Sequence, residues 1–129
     1  MNLTTYPCLL AFDYGLKHIG VAFAQSPLAE PVATLKTFSQ IKPLINRFQP
    51  ERLIVGLPSG PLVPAVHNFA QRLKTNFHLP VVLHPETLSS QEAVIRLRQI
   101  KASRRKLKND HPYAAALILE DYLESLGRV

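Results

Sequence analysis

The sequence predicts an α/β fold built on a mixed five-stranded sheet, an antiparallel meander followed by parallel strands, with helices on its flanks. Three observations carry this expectation. Three extended runs with short connections come first, at residues 9–12, 19–24 and 32–37. Helical and strand-like segments alternate after them. Two late strands, at residues 52–55 and 80–83, are short and mostly apolar, the composition of strands covered on both faces.

Each element has its own local reason. Residues 13–18 are a glycine-bearing turn joining the first two strands, in which Gly15 is free to take positive φ and Gly20 lets another backbone approach the returning strand. Pro27 and Pro31 bracket the second connection, because proline is poorly tolerated inside a central strand. From Ser39, the residues Ile41, Leu44, Ile45 and Phe48 recur at helical spacing, and Pro50 closes that helix. Residues 52–55 run into Gly56-Leu57-Pro58-Ser59-Gly60-Pro61, a stiff loop. A second helix spans residues 64–77, with Val66, Phe69, Ala70, Leu73 and Phe77 on one face. Ser89 with Glu92 three residues on forms a capping box that starts a third helix near Ser90. The last helix begins near Pro112, a favoured first-turn residue, and ends at Gly127.

Composition narrows the function classes. With 129 residues, 47% hydrophobic and 19% charged, the chain is expected to form one domain over residues 1–129, neither disordered nor fibrous. No apolar run approaches the roughly 20 residues that span a bilayer, and no signal peptide is recognisable, so the expected location is the cytoplasm, with no membrane partner. Cys8 is the one cysteine; it excludes an internal disulfide and, opening an apolar run, reads as a buried inert thiol. A net charge of +6 favours a polyanionic partner. Seven of the 15 basic residues, Arg96, Arg98, Lys101, Arg104, Arg105, Lys106 and Lys108, lie within residues 96–108 without an intervening acid. That run reads as a phosphate-binding arm; the plainer alternative is a solvated basic loop.

The nine acids can be weighed one by one. Glu30 and Glu51, beside prolines in connections, read as surface charges, and Glu120, Asp121 and Glu124 as the solvent face of the last helix. Glu92 is committed to its capping box. There remain Asp13 at the end of the first strand, Glu86 after the last strand and Asp110 before the final helix. Ligands of α/β sheets gather beyond the carboxyl ends of parallel strands, so Asp13 and Glu86 can converge there. Carboxylates sharing one cleft repel one another and invite a hard divalent cation, Mg²⁺ or Mn²⁺. Asp13 also has a plain reading as a turn residue, and Asp110 as an Asx turn or helix cap. The Gly56–Gly60 loop, with the Ser59 hydroxyl, either cradles a phosphate or is only a rigid turn. His18, beside Lys17 in the glycine turn, suits phosphate better than metal, and no histidine pair has zinc-ligand spacing backed by cysteine.

Four segments together resemble the YqgF/RuvX family of RNase H-like nucleases, described as Holliday junction resolvases and as pre-16S rRNA processing nucleases. They are Phe12-Asp13-Tyr14-Gly15-Leu16-Lys17-His18-Ile19-Gly20-Val21-Ala22, Ile54-Val55-Gly56-Leu57-Pro58, Glu86-Thr87-Leu88-Ser89-Ser90-Gln91-Glu92-Ala93, and Ala114 through Leu123. The resemblance covers nearly the whole chain. It implies an RNase H-like fold and a metal-dependent nuclease in which Asp13, Glu86 and an acid at the start of the last helix hold Mg²⁺ or Mn²⁺. Two departures stand out. Pro85-Glu86-Thr87 replaces the family's Asp-Glu-Arg, and the third acidic position falls on His111, with Asp110 one residue early. Either Asp110 reaches in, or His111 serves as a weaker ligand or proton carrier, or the site has lost full activity. The expected partners are structured RNA such as pre-rRNA, or branched DNA. Lys17, His18, Ser59 and the basic run would position the backbone, and a homodimer is an open option. A non-catalytic nucleic-acid-binding module is the rival from another class.

Overall fold

The computed structural model describes residues 6–86 and 111–127. Its elements are β1 (Leu9–Tyr14), β2 (Ile19–Ala24), β3 (Glu30–Leu35), a 3₁₀ turn at Phe38–Gln40, α1 (Ile41–Phe48), β4 (Arg52–Leu57), α2 (Val63–Phe77), β5 (Val81–Pro85) and α3 (His111–Ser125). The helix expected near Ser90, its capping residue Glu92, the basic run of residues 96–108 and Asp110 lie outside the described residues.

The sheet runs in the order β3-β2-β1-β4-β5. β1 pairs antiparallel with β2, and β2 with β3, which is the expected meander. β4 lies parallel to β1 and β5 parallel to β4, as helical crossovers require. Side chains alternate across each strand, so the two faces carry separate cores. On one face Leu10, Phe12, Val21, Leu53 and Val55 pack with Val66, Phe69 and Leu73 of α2. On the other, Leu9, Ala11, Ala22, Ala24 and Ile54 pack with Ile118, Leu119 and Leu123 of α3. The β1 and β2 residues on this second face are mostly small, which lets α3 lie close to the sheet.

Boundaries differ from expectation in ways with local causes. β3 starts at Glu30 and includes Pro31, placed by the sequence reading in the connection. β3 is an edge strand, and its register with β2 shifts between Val21 and Ala22, so Pro31 opposite Ala22 sits where a ladder tolerates a missing donor. α1 ends at Gln49, which takes a left-handed conformation (φ 49°) and donates its N–H to the Ile45 carbonyl, one residue before the expected Pro50 stop. His78 ends α2 in the same way, with φ 55°. Gly127 has φ 72° just beyond α3, as its place at a helix end leads one to expect. Gly15 is not among the positive-φ residues. Its N–H instead donates to the His18 carbonyl at 2.9 Å, and an added Cβ would stand 3.1 Å from that oxygen, so glycine serves here for close approach. Cys8 is buried, its thiol donating to the Phe48 carbonyl at 3.2 Å, and burial pushes its pKa upward, as an inert thiol requires.

Candidate active site

Strand alternation decides which residues meet. Leu9 and Ala11 face α3, so Asp13 follows them onto that face; Ile54 faces α3, and so does Gly56 two residues on. Val82 packs on the same side, and two further steps of two along β5 bring His84 and then Glu86. Phe12 pairs with Val55 and Gly56 with His84, so Asp13, Gly56 and Glu86 lie side by side at the carboxyl ends of three adjacent strands, on the face that α3 covers.

Gly56 makes room for this arrangement. A Cβ there would stand 2.9 Å from Glu86 Oε2 and 2.5 Å from Ile118 Cδ1, so the Glu86 carboxylate folds back over the glycine toward β1. Its backbone is anchored by the Glu86 N–H donating to the Leu57 carbonyl at 3.0 Å. Burial first, and the negative charge of Asp13 second, push the Glu86 pKa up to about 7. The structure thus brings together two of the three acids that the sequence singles out; the third, Asp110, lies outside the described residues.

The start of α3 is held over the same strand ends. Gly20, paired with Asp13 across β1 and β2, has its open face filled by the His111 backbone, whose carbonyl carbon would lie 2.5 Å from an added Cβ. The close approach expected at Gly20 is therefore made by α3. The His111 ring lies on that of His18, with centroids 4.9 Å apart and planes 25° from parallel. Among the described residues, no three His, Cys, Asp or Glu side chains form a group able to hold a metal ion, so His111 does not complete such a set with Asp13 and Glu86 there.

Lys17 is exposed at the tip of the β1–β2 turn, and His18 is half-buried beside it. Ser59 is exposed in the loop after β4, at the same end of the sheet.

Three acids read as surface charges have partners instead. Asp121 meets His84, with Oδ2 2.6 Å from Nε2, and Glu120 Oε2 accepts the Ala29 N–H at 3.1 Å. Glu51 Oε2 accepts the Cys8 N–H at 3.2 Å. The His84 ring also packs edge-on against Tyr122, whose hydroxyl accepts from Arg52 Nη1 at 2.7 Å. These contacts tie α3 to β4, β5 and the β2–β3 connection. For His84 a signal was present: it is two residues before Glu86, so the strand alternation that points Glu86 at α3 points His84 there too.

The RuvX family profile, described as Holliday junction resolvase, matches residues 7–125. The chain belongs to the RuvX family. A relative from Methylobacillus flagellatus, named "Putative pre-16S rRNA nuclease", is 42% identical, the match covering 93% of this chain and 92% of that relative. A relative of the same name from Cronobacter sakazakii is 37% identical over 92% of this chain and 97% of its own. Among solved structures, Thermus thermophilus RuvC in complex with a Holliday junction substrate is similar at a TM-score of 0.64 and 16% identity, covering 95% of this chain and 97% of that one. The fowlpox virus Holliday junction resolvase is similar at a TM-score of 0.58 and 15% identity, over 92% and 99% of the two chains. These likenesses establish the RNase H-like fold of this RuvX chain. No helix among its described residues is long and apolar enough to cross a membrane.

Proposed function

We propose that this RuvX protein is a divalent-metal-dependent endonuclease that cleaves phosphodiester bonds in structured RNA, acting at the 5′ end of pre-16S rRNA in the cytoplasm. The observation that carries the reading is the Asp13–Glu86 pair, two carboxylates at the ends of β1 and β5 on either side of β4, close enough for one to raise the pKa of the other. Nothing in a purely structural role calls for that repulsion at the mouth of a sheet. Two facts support a cation there: the donors are hard oxygens, suited to Mg²⁺ or Mn²⁺, and Gly56 leaves the space into which Glu86 turns.

Asp13 and Glu86 would hold the ion, with Asp110 completing the set and His111 serving as a proton carrier. When bound, the metal supplies an activated water and stabilises the oxygen that leaves the cleaved phosphate. Gly56 keeps Glu86 turned inward. Gly20 keeps the first turn of α3 against β2, which fixes His111. Lys17, His18, Ser59 and the basic residues Arg96, Arg98, Lys101, Arg104, Arg105, Lys106 and Lys108 would hold the phosphate backbone on either side.

Names of full-length relatives support the rRNA reading. The family description supports a second one, resolution of branched DNA by a homodimer. Incubation of the protein with Mn²⁺ and either a precursor rRNA fragment or a four-way DNA junction separates the two. Cleavage of the precursor by the wild type and its loss in Asp13→Asn is the expected result. Cleavage confined to the junction would support the second reading. Undiminished activity in Asp13→Asn would overturn the metal site, and nucleic-acid binding with no cleavage of either substrate would mark a non-catalytic module.

A further inference from the structure

A pocket lies on the other side of the strand end that carries Asp13. Tyr14 follows Asp13 by one residue and so points to the opposite face, where it stacks on Phe69 of α2 with ring centroids 4.7 Å apart. There the β1–β2 turn, the residues leading into the 3₁₀ turn and the middle of α2 enclose a cavity of about 180 Å³. Tyr14, Lys17, His18, Lys36, Phe38 and Arg72 line it, and no acidic residue does. Lys17, Lys36 and Arg72 are exposed, and among the described residues no ion pair engages them.

Arg72 is placed for anion binding. Its guanidinium lies 4.0 Å above the centre of the Phe38 ring. Stacking occupies the face of the group and leaves its N–H edge for an acceptor, and the fork of donors on that edge matches two phosphate oxygens. The ring contact also orders the side chain beforehand, which lowers the entropy lost on binding. Phe38 is in turn backed by Phe69, with centroids 6.0 Å apart. Nothing in the packing of α2 or of the sheet calls for three cations around one acid-free cavity.

We propose that this pocket is a second phosphate subsite for the nucleic-acid backbone, in which Lys17, Lys36 and Arg72 take a phosphodiester of the strand that passes over the β1–β2 turn to reach Asp13 and Glu86. The inference rests on the reading of nucleic acid as substrate and adds Lys36 and Arg72 to it. Because Asp13 and Tyr14 face opposite sides of one strand, the strand being cut is gripped across the turn from the point of cleavage. Contacts of this kind carry no sequence information; they set register and supply salt-sensitive affinity.

The test is binding of a fluorescein-labelled RNA stem with a single-stranded 5′ tail to the whole protein in a metal chelator, by anisotropy across a KCl series. Lys36→Gln combined with Arg72→Gln is expected to weaken binding by about tenfold and to lower the slope of log K against log salt by about 1 for each contact removed. Arg72→Lys, which keeps the charge but not the fork, is expected to fall between. Unchanged affinity and slope in the double variant overturns the subsite, as does a wild type that binds no RNA. Cleavage with Mn²⁺, measured separately, tests the nuclease reading. Binding that depends on Lys36 and Arg72 without cleavage leaves the subsite standing and that reading failed. Cleavage with an unaltered KM in the double variant does the reverse.

Discussion

The Glu86 carboxylate occupies the space that a side chain at position 56 would fill, with Oε2 2.9 Å from where the Gly56 Cβ would be. Gly56→Ala must therefore move both Glu86 and Ile118. Overpacking of this kind costs about 1 to 3 kcal/mol, and, if Glu86 holds the metal as proposed, its displacement by an ångström costs on the order of a hundredfold in rate. The variant is expected to stay folded at 25 °C in urea titrations and to lose cleavage with Mn²⁺ almost entirely. Wild-type turnover in Gly56→Ala would show that Glu86 is not held in place by this clearance.

Glu86 also makes stability depend on pH. Its pKa is about 7 in the folded chain against an ordinary 4.5, so the native state keeps a proton that the unfolded state has released. The stabilisation is fully present below about pH 4.5 and is lost as pH rises through about 7, beyond which this group adds no further slope. Glu86 is half-exposed, so the change over that window is on the order of 1 to 2 kcal/mol, well below the unscreened value. Urea denaturation at several pH values in chelator should show this decline in the wild type and its disappearance in Glu86→Gln. An identical pH slope in both proteins would refute the assignment.

Gly20→Ala should be the more damaging glycine substitution. The obstruction there is the His111 backbone, which has no rotamer into which it can retreat. The first turn of α3 would have to lift from β2, and a loss of about 3 kcal/mol or more is expected, read as a fall in Tm by circular dichroism. A Tm within a degree or two of wild type would mean that α3 does not pack as described.

Asp121→Asn tests the clamp between α3 and β5. The Asp121–His84 contact is 2.6 Å long, with the two side chains 39% and 14% exposed. Partial exposure places its contribution at about 0.5 to 1.5 kcal/mol. Asparagine keeps the shape and removes the charge, so a loss in that range without change in the far-UV spectrum is expected. Stability equal to wild type would show that the contact is replaced by water at no cost.

The meeting of Asp13 and Glu86 was legible because it follows from a single periodicity, the alternation of side chains along a strand. Asp13 and Glu86 end apolar strands, and the side-chain alternation of parallel neighbours puts them on one face; counting alone brings them together. Glu124 is exposed as expected, but Glu120 and Asp121 of α3 were misread for the opposite reason. Along this helix apolar residues run nearly all the way round, eight of them buried, so no clean polar stripe separates solvent from core. The partners of Glu120 and Asp121 are 91 and 37 residues away, and only the folded sheet reveals them. Lys36 and Arg72 escaped notice likewise, since one precedes a 3₁₀ turn and the other lies on a helix surface, with nothing in the sequence to mark a shared pocket. Gly15 was right as a glycine and wrong as to cause: the β1–β2 turn closes without a left-handed residue there, and the tight contact is with the His18 carbonyl.

The outer margin of the sheet at β3 is poorly suited to recruiting another strand. Glu30 and Pro31 are exposed there, Pro31 has no amide hydrogen to offer, and the shifted register beside it breaks the regular spacing that an incoming chain would have to match. These are features by which open sheets resist edge-to-edge aggregation. Concentrated solutions of the protein are thereby guarded against fibril-like growth along this side, and a dimer, if one is needed for branched substrates, has to be built through another surface.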